Sequence, residues 1–348
     1  LIILLLLFSA GLHAESHGPQ NQGDQGLKPV KVREHVWAIV GPLTNRTPEN
    51  LGNNATFGVI VTSEGLILVD SGGSRKGAEA LQAVIRSISD KPVKYVINTG
   101  GQDHRWFGND YFSSQGAKII TSEAAAFDHK QRFNDQVLRL TALIGDDNFA
   151  GTKARYADIL FKDSYRLTLG DTSVEIHHKG QAHTPGDSYV WLPASKVVFS
   201  GDIVYVDRML GIGEQSNSKS WVRVFEAMAA LEPEVVVPGH GGPVPLEKAK
   251  KDSYDYLVTL RERTAAFMDE GGDISEIASI DQSDFAYLDN YDTLKGRNAQ
   301  KVYSELEGKN LARFSDMRAM FDDSSIDAVA NALGDRWHAL STIWACQA

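Results

Sequence analysis

Val93-Lys94-Tyr95-Val96-Ile97-Asn98-Thr99-Gly100-Gly101-Gln102-Asp103-His104 decides how the rest of this 348-residue chain is read. A β-branched run, Val93–Asn98, stops abruptly at Thr99-Gly100-Gly101, and an acid and an imidazole follow at once. Loops at strand ends, flanked by glycine, are where a rigid scaffold presents functional groups. Three further places repeat the arrangement. His183 sits in Gln181-Ala182-His183-Thr184-Pro185-Gly186-Asp187, just before a strand-like Ser188–Leu192. Asp202 follows Lys196–Ser200, and His240 follows Glu234–Pro238 in Pro238-Gly239-His240-Gly241. Each alone has an ordinary reading as a turn or helix-cap residue. Four in this order, each at a strand end, argue for one shared site. Imidazole and carboxylate are ligands for zinc and, less selectively, for iron or manganese.

Outward from that stretch the pattern alternates strands and helices. His35–Val40, Thr56–Thr62 and Gly65–Asp70 are short β-branched runs, the last two joined through Ser63-Glu64-Gly65 as a hairpin. Ala78, Leu81, Val84, Ile85 and Ile88 have helical spacing. Ala117–Thr121 is a strand and Ser122–Leu143 mainly helix; Tyr165–Leu169 and Ser173–Lys179 begin a second set of strands, with a helix near 218–230. Hairpins mixed with strand–helix–strand units imply an α+β architecture, two mixed sheets with helices outside. After Pro245 the chain turns helical and charged.

Composition sets the outer bounds. Hydrophobic residues make up 42% and charged residues 23%, as in soluble globular proteins. Against 35 Lys+Arg stand 45 Asp+Glu, a net charge of −10, which disfavours a sequence-independent grip on nucleic acid. The single cysteine, Cys346, excludes an intramolecular disulfide and a thiolate cage, so a metal site would be built from His and carboxylate. Leu1–Ala14 is an apolar run ending in small residues; it reads as a secretory signal truncated at its start, cleaved after Ala14. The run is well below the ~20 apolar residues needed to span a bilayer, so stable membrane insertion is not expected. Periplasmic or secreted location follows, with 15–32 as a flexible lead-in.

The set of motifs resembles the metallo-β-lactamase superfamily over roughly 33–245. Thr56–Gly73 is similar to that family's first hairpin and its Asp-Ser/Thr-Gly turn, and Asp103-His104 matches the end of its His-x-His-x-Asp-His motif. His183, Asp202 and His240 match the later His, the bridging Asp and the final His. The resemblance implies a four-layer αβ/βα sandwich with a metal site at the edge of two packed sheets, followed by a helical extension over 246–348. It departs where the first two histidines belong. Counted back without a gap they fall on Thr99 and Gly101, and with a one-residue gap on Gly100 and Gln102.

What the resemblance then implies is one Zn²⁺, ahead of Fe or Mn, held by Asp103, His104, Asp202 and His240. His183 becomes a general base, a substrate or water contact, or a ligand of a second ion, and Asp103 is the other candidate base. Asn98 and Gln102 are candidate substrate contacts near the vacated first site, and Arg208 one for an anionic group. Asp70 would orient a ligand imidazole. The expected activity is metal-dependent hydrolysis of an ester, thioester or amide-like bond in a small molecule. The alternative is a non-catalytic or weakly active periplasmic metal-binding accessory protein of a sulfur-oxidation or quinoprotein system. Trp106 and Phe107 are expected to pack beneath the metal loop, and His129, His177, His178 and His338 to be structural or solvated. The helices after 245 would cover the pocket or form a homodimer contact.

Overall fold

A computed structural model describes residues 26–308. The leader expected over 1–14, most of the lead-in, and 309–348 with His338 and Cys346 lie outside the described residues.

Two mixed sheets form the centre. The first has seven strands in sequence order: β1 (Lys28–Arg33), β2 (Val36–Val40), β3 (Thr56–Thr62), β4 (Gly65–Val69), β5 (Val93–Ile97), β6 (Lys118–Ser122) and β7 (Ile159–Phe161). The second has five: β8 (Ser164–Leu169), β9 (Thr172–His178), β10 (Ser188–Leu192), β11 (Val197–Phe199) and β12 (Val235–Val237), in the order β12-β11-β10-β9-β8. Strands β1 to β4 pair antiparallel and β4 to β7 parallel. In the second sheet only β11 and β12 pair in parallel.

Helices α1 (Arg75–Ile88), α2 (Asp103–Trp106), α3 (Asn109–Ser114), α4 (Glu123–Ile144) and α5 (Asp146–Phe149) belong to the first half. Then come α6 (Ser218–Ala229), α7 (Leu246–Ala249), α8 (Asp255–Asp269) and α9 (Tyr291–Leu306). None of the described helices is long and apolar enough to cross a membrane.

The alternation of the strands explains the layering. Ile60, Ile67, Val69 and Ile97 of the first sheet pack against Val174, Ile176, Val190 and Phe199 of the second. Phe57, Val59, Leu66, Leu68 and Val96 point the other way, against Ala78, Leu81 and Ile85 of α1 and Phe112 of α3. Period-two side chains therefore supply two cores from one sheet. Each fully buried Val, Leu or Ile contributes about 1.5–3 kcal/mol. Side-chain caps fix where helices start: Ser74 accepts from the Gly77 N–H, Ser122 from Ala125 and Asn217 from Ser220. This is the four-layer αβ/βα sandwich that the motif set implies.

Two stretches differ from the sequence reading. Residues 28–32, expected as flexible lead-in, form most of the edge strand β1, paired with β2. Lys-Pro-Val-Lys-Val-Arg carries too little apolar content to announce a strand; an edge position with solvent-facing Lys and Arg tolerates it. Strand β7 was hidden in the long loop after α4 because only three residues pair.

The helices after 245 serve the site. The described chain to Tyr303 is one compact unit, and Ser304 begins a second. Asn298 of α9 accepts from the Ile212 N–H (2.8 Å) and donates to Leu210 O (2.8 Å). Ser253 brackets the Tyr205 backbone, accepting from its N–H and donating to its carbonyl. Both hold the segment that follows Asp202.

Candidate metal centre

Strand ends bring three donors together. His104 on α2, Asp202 in the turn Gly201–Ile203 after β11 and His240 beyond β12 each offer a ligand atom within 4.8 Å of the others, all buried. His104 Nε2 lies 3.3 Å from Asp202 Oδ2, and His240 Nε2 3.2 Å from Asp202 Oδ1. His240 Nδ1 stands 2.8 Å from the Asn54 carbonyl. A carbonyl only accepts, so that nitrogen carries the proton and the Nε2 lone pair faces the carboxylate. Two acceptors in a buried site call for a cation or proton between them. His104 Nε2, also buried, has no hydrogen-bond partner. Two imidazoles and a carboxylate, with one imidazole locked from behind by a backbone carbonyl, fit a divalent ion of the zinc type.

Electrostatics agree with that fit. Burial pushes the His240 imidazole well below its usual value, although the neighbouring Asp202 carboxylate opposes this; the ring is neutral, the ligating form. Burial would raise the Asp202 carboxyl, but Arg105 and His104 hold it well below the ordinary carboxylate range.

Arg105 passed unnoticed in the sequence. Its side chain is fully buried, with Nε 3.2 Å from Asp202 Oδ2 and Nη2 2.7 Å from Asp202 Oδ1. Nη1 donates to Asp70 Oδ2 (2.9 Å) and Thr56 O, and Nη2 also to Gly239 O. Asp70 therefore does not orient an imidazole. It accepts from the Thr99 N–H (2.8 Å), the Thr99 hydroxyl and Arg105, and so reaches Asp202 through the guanidinium. The signal was Arg105's place directly after Asp103-His104, which spacing alone did not tie to Asp202.

Asp103 stands outside the cluster. Its Oδ1 accepts from Arg46 Nε (2.8 Å) and Nη2 (2.5 Å) and from the His104 backbone N–H (2.7 Å). Burial would raise this carboxyl, but Arg46 and His104 hold it well below the usual range, so it is a poor proton acceptor. Arg46 lies in the loop after β2, where nothing in the sequence marked it.

His183 is not among the three clustered donors; Tyr205 stacks on His240 (4.6 Å between centroids) and meets His183 edge-on (5.9 Å). His183 Nδ1 donates to Gly211 O (2.9 Å), leaving its Nε2 lone pair free. Burial pushes this imidazole down to about 4.

Each register of the absent histidines contains one glycine whose side-chain space is already filled. A Cβ on Gly100 would lie 2.4 Å from Asp187 Oδ1, and one on Gly101 1.8 Å from Asp128 Oδ2. Asp128 pairs with Arg132, whose Nη2 also donates to Gly101 O (3.1 Å). Asn98 is spent inside the fold, donating to Arg105 O and exchanging amide bonds with Asn109. Gln102 is half-buried at the start of α2 and makes no side-chain cap bond. Arg208 donates to Leu43 O (2.9 Å), Thr44 O (2.8 Å) and Asn45 Oδ1 (3.1 Å), pinning the loop that carries Arg46. Trp106 and Phe107 are buried under the loop against Leu140 and Ile144 of α4. His129 stacks on Trp106 and donates Nε2–H to Gly100 O.

A sequence profile of the metallo-beta-lactamase superfamily matches residues 52–240, more than half of the chain. The chain belongs to the metallo-beta-lactamase superfamily. Among curated superfamily relatives, a linear primary-alkylsulfatase of Pseudomonas sp. is 22% identical over 251 residues, 61% of this chain and 47% of that protein. A metallo-beta-lactamase type 2 of Elizabethkingia meningoseptica is 26% identical over 191 residues, 54% of this chain and 68% of its own. Solved structures show the same fold. A metallo-beta-lactamase from Pontibacter korlensis has a TM-score of 0.52 at 24% identity, covering 67% of this chain and 99% of its own. A sec-alkylsulfatase from Pseudomonas sp. reaches 0.63 at 17%, covering 83% and 52%. The chain thus spans about half the length of the alkylsulfatases it matches.

Proposed function

We propose that this superfamily member is an exported, metal-dependent hydrolase with a single-ion centre on His104, Asp202 and His240. The observation that carries the proposal is the buried His240 Nε2, aimed at Asp202 because Asn54 fixes the ring's proton on Nδ1. Three protein ligands with a position left for water or substrate are the pattern of catalytic zinc centres. A divalent ion there supplies Lewis acidity and brings the pKa of water to about 7.

The chain's own groups supply the rest. Arg105 holds both Asp202 oxygens and keeps that side chain ionised and oriented. One buried guanidinium on this carboxylate, the absence of histidine from 99–102, and packed protein at Gly100 and Gly101 support one ion rather than two. His183 Nε2 is the base candidate, since its Nδ1–H is committed to Gly211 O and it is outside the ligand set. Its neutral ring accepts a hydrogen bond from water or from a substrate group at neutral pH.

The bond cleaved is an ester, thioester or amide-like bond. The names of the relatives add primary alkyl sulfates and β-lactams to the substrates worth assaying. The test is elemental analysis of protein purified without chelators, then a panel of carboxylic esters, thioesters, β-lactams and alkyl sulfates. One zinc per chain, with loss of both zinc and turnover in His240→Ala, is the expected result. No bound metal in the unsubstituted protein, or turnover surviving in His240→Ala, would sink the reading.

A further inference from the structure

We propose that Arg46 is a latch on the His104 imidazole, one that must open before His104 can ligate an ion through Nε2. The inference rests on the metal-centre reading above and adds a residue that competes for the same side chain.

Arg46 Nη2 lies 2.7 Å from His104 Nδ1. A guanidinium has only donors, so at this distance Nδ1 must present its lone pair, and a neutral ring then carries its proton on Nε2. That proton has no aligned acceptor: Asp202 Oδ2 is 3.3 Å away but outside hydrogen-bond geometry, and Nε2 is a buried atom without a partner. Ligation through Nε2 demands the opposite tautomer, with the lone pair on Nε2 and the proton on Nδ1. An Nδ1–H and an Arg46 N–H would then point at each other. The Arg46 contact and Nε2 ligation exclude one another at a single ring.

Release has a ready acceptor. Asp103 Oδ1 is 3.3 Å from His104 Nδ1 and is held by Arg46 Nε and Nη2. With Arg46 withdrawn, the carboxylate is freed to accept Nδ1–H, giving the carboxylate–histidine–metal arrangement that fixes a ligand ring. Asp103 thus becomes a positioning residue for His104 instead of a ligand. Arg46 is 17% exposed and sits on a loop, so its withdrawal breaks no strand pairing.

Two measurements test this. Zinc affinity is read by competition with a chromophoric chelator in the unsubstituted protein, Arg46→Ala and Arg46→Lys. The latch predicts about tenfold or greater tightening in Arg46→Ala, the scale of one charge-assisted bond. Arg46→Lys should fall between, because an ammonium keeps the charge but loses the two-pronged grip; simple charge repulsion would leave it equal to the unsubstituted protein. Ring ¹⁵N spectra of the unsubstituted chelated protein, assigned with His104→Asn, should show His104 protonated on Nε2 and switching to Nδ1 as zinc is added. Equal affinities for the unsubstituted protein and Arg46→Ala, or an Nε2–H that survives zinc saturation, overturn the latch alone. Zinc bound by neither protein overturns the latch and the metal-centre reading together.

Discussion

Within the five residues from Gly100 to His104, one loop is finished in two opposite ways. At Gly100 and Gly101 the protein fills its own space: Asp187, Asp128 and Arg132 stand where side chains from those positions would reach. At His104 the packing is just as tight, yet ligand atoms face one another without mutual satisfaction. Burying an unpaired polar atom is costly, whereas on the glycine side Asp128 is paired with Arg132 and Asp187 accepts from the Thr184 N–H and hydroxyl. The contrast shows how one edge of the sandwich can be closed on one side and leave three candidate ligands facing one another on the other.

The largest break in that contrast comes from Asp202→Ala. Arg105 would keep its charge in a fully buried position and lose the acceptor for Nε, so denaturant unfolding should show a loss of about 3–5 kcal/mol. Zinc should fall to zero in the same protein.

Gly101→Ala attacks the closed side. Its Cβ meets Asp128 Oδ2 at 1.8 Å, and overpacking of this kind costs about 1–3 kcal/mol. Gly101→His should be worse still and should gain no second ion by elemental analysis. A second equivalent of zinc in that variant would show that the closed side can be reopened.

His129 reports on the closed side through pH. Burial lowers its folded value to about 4 from 6.5, so between these values the unfolded chain binds more protons. Its contribution is intact above pH 6.5 and is lost as pH falls toward 4, by at most about 3 kcal/mol. His129→Gln, which keeps a donor near Gly100 O but does not titrate, should flatten that part of the stability–pH curve.

The smallest effect is expected from Arg208→Lys. Bonds to Leu43 O, Thr44 O and Asn45 cannot all be kept by one ammonium, and about 1 kcal/mol should be lost. Because this loop carries Arg46, the chelator competition should shift slightly as well; an unchanged melt would show that the loop holds itself.

Much of the fold was legible because strands β3 to β6 and β8 to β12 are β-branched runs ended by glycine, proline or polar turns. Strand β1 was not, since its edge position lets charged residues alternate with valine. In the site, His104, Asp202 and His240 stood out by residue type and strand-end placement. Asp103 looked equivalent to His104 by adjacency, yet Arg46, 57 residues away in sequence, takes its carboxylate. Arg208 and Asn98 read as contacts for a substrate because a polar group near a site gives no sign of partners from other loops.

By itself, then, the sequence determined the family architecture, the chemical type of the ligands and the absence of two histidines. These depend on local pattern and residue identity. The tertiary structure alone decided which carboxylate joins the cluster, which nitrogen of His240 is free, and that Arg46 and Arg105 govern the neighbouring groups. The physical reason is that protonation sites and ion pairs are set by what lies within about 3 Å, and here those neighbours come from loops far apart along the chain.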